Sequence, residues 1–150
     1  MKNLIRILNV FFLLTLISTG VFGQTEKDTV AVLQKCIEMK DFQQLLPLNS
    51  DGTRKQLNIL NHGVSFPAGT NILIAGSTVA LVDRAQLEKV TNPYYLLFWD
   101  FRISQNRANA GFVLNNKTGK EAIEMARFIV EAEKNATDWE IIDIKMVKVH

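Results

Sequence analysis

Three regimes of polar and apolar residues follow one another at the start of the chain. Residues 1–6 carry two positive charges, Lys2 and Arg6, and no acid; residues 7–17 are almost unbroken in apolar side chains; residues 18–23 return to small and mixed ones. Basic, apolar and small-residue regions in that order are the grammar of a secretory signal peptide. The apolar run of about 11 residues is too short for a helix that crosses a bilayer, which takes about 20. Cleavage after Gly23 is expected, with Ser18 and Gly20 as a second point. Residues 24–150 then form a single globular domain that starts at Gln24 and has no stable membrane anchor. No cysteine adjoins the apolar run to take a lipid.

Within residues 25–46, Val30, Leu33, Ile37, Phe42, Leu45 and Leu46 recur at helical spacing, largely on one side. Thr25 and Asp28 resemble a start signal, Pro47 marks the end, and Lys40 with Asp41 divides the stretch into two short helices. Residues 49–53 form a turn by composition. The period then shortens. Residues 56–61, 71–75 and 78–82 predict strands, separated by turn chemistry at His62-Gly63, at residues 67–69 and at Gly76-Ser77. Residues 84–90 predict a brief helical turn.

Alternation over residues 94–103 puts Tyr95, Leu97, Trp99, Phe101 and Ile103 on one face, and Tyr94, Leu96, Phe98, Asp100 and Arg102 on the other. A turn at residues 104–107 returns the chain antiparallel through residues 108–115. The small Ala108, Ala110 and Gly111 leave room there for large neighbours. Thr118-Gly119-Lys120-Glu121 reads as a capping box, so a second helix is predicted, with Ala122, Ile123, Ala126, Ile129 and Val130 as its core stripe. Lys120/Glu124 and Arg127/Glu131 fall at i,i+4 on its wetter side. Residues 139–149 predict a last strand, with Ile142, Ile144 and Met146 on one face and Trp139, Ile141, Val147 and Val149 on the other. The parts assemble as an α+β fold: a mainly antiparallel sheet of five or six strands with two helices packed on one face. A helix between strands near the C-terminus would add a single parallel pair. Trp99 and Ile129 are expected to share one core.

Composition changes this picture in two places. The formal charge of +2 leaves with Lys2 and Arg6, so bases and acids balance in the domain. A neutral domain without Lys/Arg clusters does not suit nucleic acid, which requires several phosphate contacts. Cys36 is the only cysteine, so there is no internal disulfide and the fold rests on packing. Its place beside Leu33 and Ile37 marks it as a small buried apolar residue.

The chain has no G-x-S-x-G, no H-E-x-x-H, no paired C-x-x-C and no glycine-rich phosphate loop. Gly63, Gly69 and Gly76 fall in turns. The only histidines are His62 and His150, and a zinc site draws three or four ligands, so neither a metal nor a cofactor is expected. His62 sits in a turn, with a pocket or partner-binding role as the other reading. Asp100 and Arg102 are the more informative pair. With a two-residue turn at Gln105-Asn106, Arg102 would oppose Asn109 and Asp100 would oppose Gly111. The result is a polar patch ahead of the Tyr94/Leu96/Phe98 stripe: either a solvated strand end or a recognition patch at the mouth of an apolar groove. Asn116-Lys117-Thr118 and Asn135-Ala136-Thr137 match the glycosylation pattern, but both coincide with predicted helix ends.

Nine Phe, two Trp and two Tyr without a catalytic signature point to an exported, non-catalytic binding or protein-interaction module. Its ligand is an unidentified protein or small molecule, met by Tyr94, Leu96, Phe98, Asp100, Arg102, Asn109 and His62. Two alternatives stay open. One is a small exported hydrolase-like enzyme using His62 or Asp100; the other is a homo-oligomeric subunit that completes its core across residues 94–103. The leader resembles those of small exported proteins of Gram-negative bacteria, which places the product in the periplasm or outside the cell.

Overall fold

The computed structural model describes residues 26–64, 66, 72–74, 77–90, 93–118 and 121–149. The expected leader with its cleavage after Gly23, the predicted turn glycines Gly69 and Gly76, and His150 lie outside these residues. Two helices come first, α1 over residues 26–38 and α2 (Lys40–Gln43). They are followed by β1 (Asn58–Leu60), β2 (Ile72–Ile74), β3 (Ser77–Val82), α3 (Arg84–Lys89), β4 (Tyr94–Ser104), β5 (Arg107–Thr118), β6 (Glu121–Lys134) and β7 (Trp139–Lys148). Six strands form a mixed sheet in the order β3-β1-β4-β5-β6-β7, and the short β2 pairs antiparallel with β3 at its edge. The fold is α+β. No helix among the described residues is long and apolar enough to cross a membrane.

The inner face of the sheet carries the core. Leu96 and Phe98 from β4, Phe112 from β5, and Phe128 and Val130 from β6 are buried beneath Leu33, Cys36 and Ile37 of α1 and Phe42 of α2. Phe112 and Phe128 stack with centroids 5.0 Å apart, and Phe42 meets them edge-on at 6.1 and 5.7 Å. Such pairs contribute about 0.5–1.5 kcal/mol each beyond their buried area. Polar tethers fix the lie of α1. Asp28 Oδ1 accepts from Lys134 Nζ at 2.6 Å and from Trp139 Nε1 at 3.0 Å, and Lys35 pairs with Asp138 at 2.6 Å. On the outer face, α3 is capped reciprocally by Asp83 and Gln86. It sets Leu87 against Leu60, Val82, Tyr95 and Leu97. That cover spans the first half of β4 and touches the end of β5, where Lys117 Nζ donates to Leu87 O at 3.2 Å and Val113 and Asn115 are buried on the same face; it does not extend to Trp99 or Ile129.

The predicted second helix is instead the strand β6. Its Ala, Glu, Met and Arg content favours a helix, but residues 126–132 also alternate, with Ala126, Phe128, Val130 and Ala132 all buried. Ladders to β5 on one side and β7 on the other satisfy its backbone and override the propensity. The expected pair of helices on one face therefore reduces to α1 and α2. Arg127 pairs with Glu124 at 3.0 Å rather than with Glu131. The parallel pairing also moves, joining β1 to β3 and to β4 in the first half of the chain. Asn116 lies within β5, and Asn135 Oδ1 accepts from the backbone N–H of Thr137 and Asp138 in the β6–β7 turn, so neither marks a helix end.

A β-bulge overturns the expected core of Trp99 and Ile129. The register passes from Phe98↔Phe112 directly to Asp100↔Gly111, leaving Trp99 unmatched. Before the bulge Leu96 and Phe98 face inward; after it Phe101 and Ile103 do. One extra residue has exchanged the two faces of the strand. Trp99 and Ile129 are 46% and 48% exposed.

Candidate functional site

The hairpin register at the expected site is the one the sequence predicts. Arg102 opposes Asn109 and Asp100 opposes Gly111. Arg102 Nη2 donates to Asp100 Oδ2 at 2.7 Å in a largely solvated pair, a geometry worth about 0–1 kcal/mol. The apolar half of the expected site does not join them. Leu96 and Phe98, 0% and 1% exposed, are interior to the domain, and Tyr94 packs against the same core with Lys55 Nζ 5.8 Å from its ring centroid. A partner could reach this stripe only by displacing α1 and α2, so the groove with a polar mouth is not what forms. His62 stands exposed in the bend after β1, where its N–H donates to Leu60 O at 3.0 Å.

Asp100, Arg102 and Asn109 instead belong to the outer face of β4–β7, in rows that the ladder fixes. Val113, Arg127 and Val147 form one row; Gly111, Ile129 and Lys145 the next; Asn109, Glu131 and Asp143 the third. Directly opposed residues share a face, so each row is a line of neighbouring side chains. Trp99 completes the middle row. A Cβ at Gly111 would lie 2.6 Å from Trp99 Cε2 and Nε1, so the indole occupies the space that only a glycine leaves free. Arg127 adds its guanidinium 5.6 Å from the Trp99 ring centroid. The Glu124 carboxylate, accepting two hydrogen bonds from that guanidinium, holds its pKa above the ordinary value.

The product is an apolar centre of Trp99, Ile129 and Val147, exposed by 46%, 48% and 61%, rimmed by charges of both signs. The sequence carried a signal for it that the helical reading masked: the alternation of residues 126–133, and a glycine placed to accept an aromatic. Reactive groups do not gather here. Among the described residues no cluster of three or more His, Cys, Asp or Glu side chains could hold a metal ion. Cys36 lies in the core, where burial pushes its thiol up to about 12. Comparison with protein-family models, curated proteins and solved structures finds no match.

Proposed function

We propose that the chain is an exported, non-catalytic protein-interaction module, and that it binds through the outer face of β5–β7. One observation carries the reading: Trp99 and Ile129 stand side by side on a part of the sheet that α3 does not cover. Fully burying one large apolar side chain is worth about 1.5–3 kcal/mol, so two left half in water represent stability available only to a bound state. The chain also sets Gly111, a poor strand residue, beneath the indole. An aromatic anchor among aliphatic neighbours with a charged rim has the anatomy of a protein-binding patch. Asp100, Arg102 and Asn109 sit at its margin and contribute polar contacts.

Site-specific photo-crosslinking in the exporting host tests the reading. A photoreactive residue at position 129 or 147 should give a defined adduct, whereas one at the exposed Glu88 of α3 should not. Equal adduct formation at all three positions, or none at the two outer-face positions, would refute it.

A further inference from the structure

We propose that the open edge of β7 pairs with β7 of a second copy of the chain, antiparallel, about a two-fold axis that passes through Ile144 at right angles to the sheet. This edge is distinct from the Trp99 patch, and the inference stands whether or not that patch binds. β7 is the last strand of the sheet, and among the described residues no strand pairs with its far side. It runs ten residues without a proline. Its exposed apolar side chains lie on both faces: Ile144 opposes the inward Val130, and Val147 opposes the outward Arg127. Apolar side chains on both faces mark an interior strand, and a long open edge is a template for another chain.

The ladder says which backbone groups are open. Antiparallel neighbours alternate between pairs that exchange hydrogen bonds and pairs that do not. Val149 N donates to Met125 O at 3.1 Å, so the pairs Arg127/Val147, Ile129/Lys145 and Glu131/Asp143 exchange bonds between β6 and β7. Lys134 N donates to Asn106 O at 2.7 Å, which by the same alternation commits Phe128 and Val130 to β5. The N–H and C=O of their β7 neighbours, Met146 and Ile144, therefore point to the open edge.

Charge then selects the register. With the axis at Ile144, the two Ile144 residues exchange hydrogen bonds, and Asp143 of each copy faces Lys145 of the other. Asp143 and Lys145 already lie 4.0 Å apart within one chain, so the charges alternate in sign around the axis. A two-fold at Asp143 or at Lys145 would set like charges face to face. One at Met146 would set Lys145 against Val147 and Lys148 against Ile144. Because the bulge leaves Ile142 out of the ladder, Met146 meets Ile141 of the other copy, and both belong to the α1 side of the sheet. An axis normal to the sheet keeps the outer faces of the two copies on one side, so their Trp99 patches look the same way.

Sedimentation over a dilution series, with protein purified after expression of the full chain, decides the matter. Wild type should be a dimer that dissociates on dilution. Asp143→Lys and Lys145→Asp should each dissociate at concentrations at least about tenfold higher, because each sets like charges together twice. The chain carrying both changes should associate as wild type does, since acid and base have only exchanged places. Ile144→Pro removes an N–H that β6 does not use, so it should keep its far-UV circular dichroism and stay monomeric. The charge exchange decides the register even if the proline disturbs the strand. A monomeric wild type, single-charge variants that associate as it does, a double variant that stays dissociated, or a dimeric Ile144→Pro overturns the proposal. The photo-adduct at position 129 reads the outer face separately, so either reading can fail alone.

Discussion

Replacing Gly111 by Ala puts a methyl group where the Trp99 indole now lies. The added carbon would stand 2.6 Å from Cε2 and Nε1 and 2.8 Å from Cζ2. Carbon–carbon contact begins at about 3.5–4.0 Å, so the ring must retreat by about 1 Å, and the open direction is outward into water. Trp99 is 46% exposed, so about half of a side chain that can bury roughly 200 Å² is covered. At about 25 cal/mol per Å², losing that cover costs about 2.5 kcal/mol. The lower entropy of an unfolded Ala returns about 0.4–1 kcal/mol. The expected net loss is at most about 1.5–2 kcal/mol, reached when the ring leaves its seat altogether. Urea melts followed by far-UV circular dichroism, at one fixed protein concentration, read it directly. In a Trp99→Ala background the same substitution should be neutral or stabilising. Equal effects in both backgrounds, meaning no coupling between positions 99 and 111, would refute the seat assigned to the indole.

Burial alone would raise the Asp28 carboxyl, but the hydrogen bonds from Lys134 and Trp139 and the Lys134 charge outweigh it and hold its pKa below the ordinary 3.8. The stability it contributes should be fully present above that ordinary value and fade as pH falls through the lower folded value. The gap between wild type and Asp28→Asn in denaturant melts should therefore close in acid, and a gap independent of pH contradicts the assignment. Cys36, with its thiol pushed up to about 12 in the core, should resist alkylation in the native protein and react once per chain in denaturant; prompt native-state labelling would contradict this. Asn58 is buried on β1, and its Nδ2 has no hydrogen-bond partner among the described residues. Asn58→Leu should stabilise by about 1 kcal/mol through removal of an unmet donor, and a comparable loss in the melt would show that the amide is satisfied.

Local chemistry made much of the architecture legible. The helix over residues 26–38, the brief helix within residues 84–90, the short strands around Ile59 and Ile72, and the two-residue turn at Gln105-Asn106 each follow from signals within a few residues. Two elements needed information from elsewhere in the chain. Residues 121–134 fit a helix as well as a strand, and only β5 and β7 on either side decide between them. The bulge at Trp99 leaves no mark on the alternation of β4 itself; it falls opposite Gly111 on the facing strand, which leaves the indole room to lie. The extra residue in the bulge divides the expected site: Leu96 and Phe98 before it face the core, Asp100 and Arg102 after it face outward, and the polar half lies at the margin of a surface centred on Trp99 and Ile129.

Accessibility of position 129 in the host tests the interaction surface most directly. Ile129→Cys places a thiol at the centre of the outer face, and the buried Cys36 supplies no background. In dilute purified protein the new thiol should react with a maleimide as fast as one introduced at Glu88 on the exposed side of α3. In the intact host cell it should be protected while the thiol at position 88 still reacts. Equal labelling of both positions in the host, at the rates seen in dilute protein, would contradict the account.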